Sequence, residues 1–198
     1  MTIGVLALQG GYQAHVETLH ACGISDVLLV RDAATLQKCD GLVIPGGEST
    51  TMSRLCDRYD LWPALQEWHA QGGGFFGTCA GLIFLAKNIT GATQNFTQKT
   101  LGVLDVDVAR NAYGAQNESF ETALEATSAL GDEPLSAIFI RAPRITRVGG
   151  DVEVLAQRDD EAVAVRRGNV MALAWHPEIA GEKRLHQLWL RDLQERRL

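Results

Sequence analysis

Short apolar runs alternate with stretches of helical spacing through the first half of the chain, and no other feature narrows the possible folds as much. Residues 3–8 (IGVLAL) are apolar without interruption. Tyr12–Ala21 follows with helical spacing at Val16 and Leu19, and Gly23 supplies a stop. Val27–Val30 reads as a second buried strand, residues 33–38 as a short helix, and residues 42–44 as a third strand ending at Pro45-Gly46-Gly47. Two helical stretches, residues 50–58 and 62–71, precede Phe75-Phe76. Strands that are apolar throughout must be covered on both faces, and the intervening helices can provide that cover. The expected fold is therefore α/β, with a mostly parallel central sheet.

The later half changes character. Residues 104–108, 137–140, 152–156, 162–165 and 170–174 are strand-like, with turn signals at Gly149-Gly150 and Arg167-Gly168-Asn169. They are expected as antiparallel additions to the sheet. An amphipathic helix from about Glu182, with Leu185, Leu188, Trp189 and Leu193 on one stripe, closes the chain. There is no internal repeat and no linker-like tract, so residues 1–198 are expected to form one domain.

Composition excludes some partners. The net charge of −6 argues against nucleic acid and against an anionic membrane, and the one basic cluster, Arg191 with Arg196-Arg197, alternates with acids. No apolar run approaches the ~18 residues of a membrane span. The opening MTIGVLALQGG has neither a charged leader nor a cleavage site, and Cys22, Cys39, Cys56 and Cys79 form no C-x-x-C pair. A cytoplasmic protein with free thiols is expected.

Chemistry concentrates in three places. The stretch Gly77-Thr78-Cys79-Ala80-Gly81 stands where a strand becomes a helix, the helix-like run being residues 82–87. Cysteine there either fits a tight turn or is aimed by it into a cleft. In the second case the helix N-terminus favours a thiolate, and the N–H of Ala80 faces a developing oxyanion. A nucleophile needs a base, and there are five histidines. His20, His69 and His186 fall on expected helices, where solvated or packing roles fit; His15, after the first loop, suits a site or an interface. His176 ends the last strand, in Ala174-Trp175-His176-Pro177-Glu178. Proline biases His176 toward extended geometry, which puts His176 and Glu178 on one side with the carboxylate orienting the imidazole.

The third place, Pro45-Gly46-Gly47-Glu48-Ser49-Thr50, lacks the spacing of a phosphate loop, and Glu48 would repel phosphate. Its glycines instead let peptide N–H groups approach an oxyanion. No group of His, Cys, Asp and Glu has metal-ligand spacing, so no metal or cofactor is expected.

These motifs together resemble the class I (triad) glutamine amidotransferases. More narrowly, ALQGGYQAH, LVIPGGESTTM, FGTCAGLIFLAKNI, LDVDVARNAYGAQNESFE, FIRAP and AVRRGNVMALAWHPE resemble the glutaminase subunits of pyridoxal 5′-phosphate synthase, over nearly the whole chain. The resemblance implies a flavodoxin-like three-layer sandwich that hydrolyses L-glutamine and passes ammonia to a PdxS-type synthase subunit. On that reading the isolated chain is weakly active, the synthase activates it by reorganising the Gly47 peptide, which glycine leaves free to flip, and the first helix, with His15, forms part of the docking face. The resemblance also implies Cys79 as nucleophile, His176 as base and then acid, and Glu178 as orienter. Gly47, Glu48, Ser49, Arg110, Ile140 and Arg141 would line the glutamine pocket, and Gly47 and Ala80 the oxyanion hole. A guanidinium fork such as that of Arg110 suits an α-carboxylate, although surface salt bridges would equally account for Arg110 and Arg141. Two rivals stand beside this reading: a glutaminase subunit of another pathway such as histidine biosynthesis, and a PfpI-like cysteine hydrolase or non-catalytic module on a related sheet.

Overall fold

The structure is a computed structural model and describes residues 1–90, 98–110 and 119–196. Most of ARNAYGAQNESFE, from residue 111 to 118, therefore lies outside the described residues, as does Arg197 of the basic cluster.

The alternation of the first half is realised almost run for run. Strand β1 (Ile3–Leu6) leads to helix α1 (Tyr12–Ala21), β2 (Val27–Val30), α2 (Ala33–Leu36) and β3 (Gly41–Ile44). Helices α3 (Ser49–Arg58) and α4 (Leu61–Ala70) then precede β4 (Gly74–Thr78) and α5 (Ala80–Leu85). Every residue of β1, β3 and β4 is buried, as uninterrupted apolar strands require, whereas β2 is only partly buried because it forms one edge of the sheet.

The second half supplies β5 (Ala86–Thr90), β6 (Leu104–Ala109), β7 (Ser119–Ala126), β8 (Leu135–Ile140) and β9 (Arg144–Val148). It continues with β10 (Glu153–Arg158), β11 (Glu161–Arg167), β12 (Val170–Leu173), α6 (Pro177–Ala180) and α7 (Arg184–Glu195). The main sheet has the order β2-β1-β3-β4-β12-β11-β10-β7-β8. Its first five strands are mutually parallel, and antiparallel pairing begins between β12 and β11.

Two expectations for the second half need correction. β12 is not an antiparallel addition: it lies parallel to β4 and completes the parallel part of the sheet. β6 is outside the main sheet, paired in parallel with β5 and antiparallel with β9 in a separate three-stranded sheet. Its alternation of buried Leu104, Val106 and Val108 with more exposed Asp105 and Asp107 suits any half-covered sheet. The outward carboxylates choose the neighbours: Arg147 of β9 pairs with both, and Lys87 of β5 with Asp105.

Helices cover both faces of the main sheet. α1, α6 and α7 lie on one side; α2, α3, α4 and α5 are packed together on the other. α7 buries its apolar stripe of Leu185, Leu188, Trp189 and Leu193. Gly41 and Gly74 lack the side chains that would collide with Trp189 and Leu193, so the helix sits directly on the strands. Among the described residues no helix is long and apolar enough to cross a membrane.

Candidate active site

The carboxyl ends of β1, β3, β4 and β12 meet at one place, and each contributes a functional loop. The turn after β4 is the sharpest. Cys79 has φ 50° and ψ −102°, a strained backbone for a residue with a side chain, and α5 begins at the next residue. Its N–H donates to Leu173 O of β12 at 2.8 Å, which fixes the turn to the neighbouring strand. The flanking glycines are steric requirements. A Cβ on Gly81 would overlap the Ile44 carbonyl, and one on Gly77 would press into the Gly81 backbone. The turn therefore aims its thiol rather than merely accommodating it.

β12 delivers the second component. His176 follows it through Ala174 and Trp175, both buried, and its N–H donates to Ile138 O of β8 at 3.0 Å. Nδ1 of His176 lies 2.8 Å from Glu178 Oε1, and Cys79 is close enough to act electrostatically on the imidazole. The pairing of His176 with Glu178 thus forms, but across the start of α6, which begins at Pro177, rather than along an extended segment. Burial works against a charged imidazole here. The attraction of Cys79 and Glu178 for the charged ring outweighs it and holds the His176 pKa up at about 10. Glu178 is almost fully buried, which opposes its charge, yet the neighbouring His15 and His176 keep its pKa below the ordinary carboxylate value.

The other cysteines differ in kind. Burial pushes the Cys39 thiol up to about 11 and the Cys56 thiol up to about 12, so both stay protonated.

In front of Cys79 lies a pocket of about 160 Å³ lined by Gly47, Glu48, Ser49, Cys79, Ala80, Ile83, Arg110, Ile140 and Arg141. All the residues named for the pocket from the sequence are therefore brought together, and Ile83 joins them. His176 stands to the rear, against Gly46, where an added Cβ would overlap its ring. Cys79 Sγ is 3.9 Å from Ile140 O, so the antiparallel half of the sheet closes the pocket. Larger clefts of about 670 Å³ along β7 and β10, and about 480 Å³ beneath Trp68, bring no base to a nucleophile.

Glu48 lines the pocket and also has a local role. Its carboxylate caps α3, accepting from Thr50 N at 3.0 Å and Thr51 N at 2.6 Å, with Arg110 at 3.5 Å. Arg110 also donates to Gln98 Oε1 at 2.8 Å, and the same oxygen accepts from Ser49 Oγ at 3.2 Å. Gln98 is a site residue the sequence reading missed, since nothing in the polar stretch around it marks the position. Gln9 was also missed. Its Oε1 accepts from Glu48 N at 3.0 Å, and its side chain fills the space a Cβ on Gly47 would need. The rule that sites gather at strand carboxyl ends could have found it just beyond β1.

His15 requires a correction. It is fully buried and cannot form part of a docking face. It lies on the stripe that includes Thr18 and Leu19, behind the Cys79–His176–Glu178 group. His20 and His69 bond backbone carbonyls, those of Ile24 and Gly73. Among the described residues, no three of His, Cys, Asp and Glu gather where they could hold a metal ion.

Known proteins resemble this chain along nearly its whole length. The profile of the SNO glutamine amidotransferase family matches residues 5–195. The chain is 48% identical, over 96% of its length and 98% of the relative's, to the pyridoxal 5′-phosphate synthase subunit PdxT of Thermotoga sp. (strain RQ2). It is 46% identical, over 98% of its length and 96% of the relative's, to the subunit of the same name from Geobacillus thermodenitrificans. A crystal structure described as a glutamine amidotransferase superposes with a TM-score of 0.89 at 42% identity, covering 98% of this chain and all of that one.

Proposed function

We propose, from the premise that the chain belongs to the SNO glutamine amidotransferase family, that it is the ammonia-releasing subunit of a pyridoxal 5′-phosphate synthase. Its reaction is the hydrolysis of L-glutamine to L-glutamate and ammonia. The observation that carries the mechanism is the buried His176 imidazole, hydrogen-bonded to Glu178 and held within electrostatic reach of Cys79, behind a small polar pocket.

The Cys79 thiolate attacks the side-chain amide carbon of glutamine, and the carbonyl electrons move onto oxygen. The N–H groups of Ala80 and Gly47 receive that oxyanion. As the tetrahedral intermediate collapses, the C–N bond breaks and His176 donates its proton to the departing nitrogen. A glutamyl thioester remains. Water attacks it while His176, now neutral, takes the proton, and the C–S bond breaks to return the thiolate and glutamate. Glu178 keeps the imidazole in register throughout and transfers no proton. Arg110 receives the substrate's α-carboxylate, with Gln98 holding the guanidinium in place.

Free ammonia is protonated in neutral water and is then no nucleophile, so the product passes directly to a PdxS-type synthase subunit within a complex. The chain works as one domain over residues 1–198, in a reducing cytoplasm where its four cysteines stay free. Glutamine turnover measured with and without the synthase tests the reading. Activity that depends on Cys79 and is raised by the synthase supports it; absence of turnover in the complex defeats it.

A further inference from the structure

Behind the triad lies a pair of buried histidines that the mechanism above does not use. His15 of α1 and His186 of α7 are both fully buried. Nδ1 of His15 is 3.2 Å from Nε2 of His186; Nε2 of His15 is 3.1 Å from Thr78 Oγ1 and 3.5 Å from Glu178 Oε1. Nδ1 of His186 has no partner among the described residues. The two rings and Phe76 of β4 form a packed aromatic group under the nucleophile turn.

We propose that His15 is a positioning residue for the triad carboxylate, holding its Nε2 proton toward Glu178 because His186 donates to its Nδ1. Two tautomeric chains would satisfy the contact between the rings. In one, His186 Nε2–H donates to the bare Nδ1 of His15, and the His15 proton sits on Nε2, facing Glu178 and Thr78. In the other, His15 Nδ1–H donates to His186, and Nε2 presents a lone pair to a carboxylate oxygen.

The second chain incurs two penalties. The Thr78 hydroxyl would satisfy its Nε2 lone pair at 3.1 Å, but that lone pair still faces an anion at 3.5 Å, and the unpartnered Nδ1 of His186 is left as a buried bare N–H. The first chain leaves only a bare lone pair there, and an unsatisfied donor is the costlier orphan. His186 thus selects the tautomer, His15 presents the proton between Thr78 Oγ1 at 3.1 Å and Glu178 Oε1 at 3.5 Å, and that one carboxylate oxygen faces two imidazoles, His176 in front and His15 behind. Thr78, adjacent to Cys79, joins the same contact, so the group also steadies the nucleophile turn.

Both rings remain neutral at working pH. The ionisable groups that act on His15 are Glu178 and His176, and those acting on His186 are His15 and Glu178. Burial dominates at both positions, lowering His15 and taking His186 down to about 3.

The kinetic consequence rests on the glutaminase reading; the tautomer does not. Long-range proton–nitrogen correlation spectra of the full chain without substrate read each ring nitrogen directly. The expected pattern is a proton on Nε2 and a bare Nδ1 in both His15 and His186. A proton on Nδ1 of His15 overturns the proposal.

With glutamine and the synthase present, His15→Leu is expected to lower kcat by about two- to tenfold, the scale of an ordinary hydrogen bond, with KM little changed. Losing a donor raises the pKa of a carboxylate, so the acid limb of the kcat profile moves to higher pH. His15→Gln restores an N–H donor and recovers most of the rate; His186→Gln retains more of it than His186→Leu. A folded His15→Leu enzyme with unchanged kcat and acid limb, altered only in melting temperature, also overturns the proposal. If the complex turns over no glutamine while His15 shows the expected tautomer, the glutaminase reading fails and the contact with Glu178 stands.

Discussion

Replacing Gly46 with alanine tests the seating of the base without altering any reacting atom. Gly46 is not among the residues with positive φ, so its backbone accepts alanine. Space is the obstacle. The new Cβ would overlap Cε1 of His176 and stand 3.0 Å from Nδ1 and 3.3 Å from Nε2, where ordinary contact begins at 3.4 Å. The imidazole must retreat by on the order of 1 Å, and a misplacement of that size costs about a hundredfold in rate. That loss corresponds to about 3 kcal/mol of barrier, whereas overpacking lowers stability by about 1–3 kcal/mol. The pocket residues are untouched, so KM for glutamine should hold while kcat falls. Steady-state glutaminase assays in the presence of the synthase, with melting temperatures alongside, measure both effects. Gly150→Ala is the control, since nothing lies within 4 Å of its added Cβ. A folded Gly46→Ala enzyme with wild-type kcat would refute the placement of His176 as the base.

Cys79→Ala should abolish turnover, and an electrophilic glutamine analogue should label Cys79 alone; mass spectrometry showing adducts at Cys39 or Cys56 would contradict their raised pKa values. His176→Asn should lower kcat by about 10³–10⁴, and Glu178→Gln by less, in the same assay. The His176 pKa is raised from 6.5 to about 10, so the stability it contributes is fully present below 6.5 and lost as pH rises through about 10. Wild-type melting temperature should therefore fall as pH approaches 10, and in Cys79→Ala, which removes a partner, the fall should begin at lower pH. Arg110→Ala should raise KM for glutamine, whereas unchanged KM with a lowered melting temperature would make the contacts with Gln98 and Glu48 purely structural.

The parallel half of the fold was legible because β1, β3 and β4 are buried on both faces and so carry no polar interruption. β5, β7 and β9 were not. AKNIT, SFETALEA and RITRV alternate apolar with charged or polar residues over short spans, which a loop or an exposed helix would tolerate equally. The sheet to which β6 belongs depends on Arg147 and Lys87 reaching its carboxylates, a tertiary fact with no local trace. At the site, the motif-bearing loops were readable because glycine, cysteine and the His-Pro-Glu run are unusual where they stand. Gln9, Gln98 and the inward face of His15 are ordinary residues given meaning by neighbours far along the chain. His15 did leave one signal: it shares a helical face with Leu19, which should have placed it inside rather than at an interface.

The position of β12 has a consequence for synthesis. This strand, near the end of the chain, inserts between β4 and β11 in the middle of the main sheet. Translation delivers Cys79 early and His176 late, and the two cannot meet until that central slot is filled. Pairing between strands so distant in sequence is slow to form. A nascent chain on the ribosome therefore carries a nucleophile with no base and half of a pocket, since Ile140 and Arg141 are also late arrivals. Chain connectivity, with no separate inhibitor, spares the cell's glutamine from an enzyme that is not yet finished.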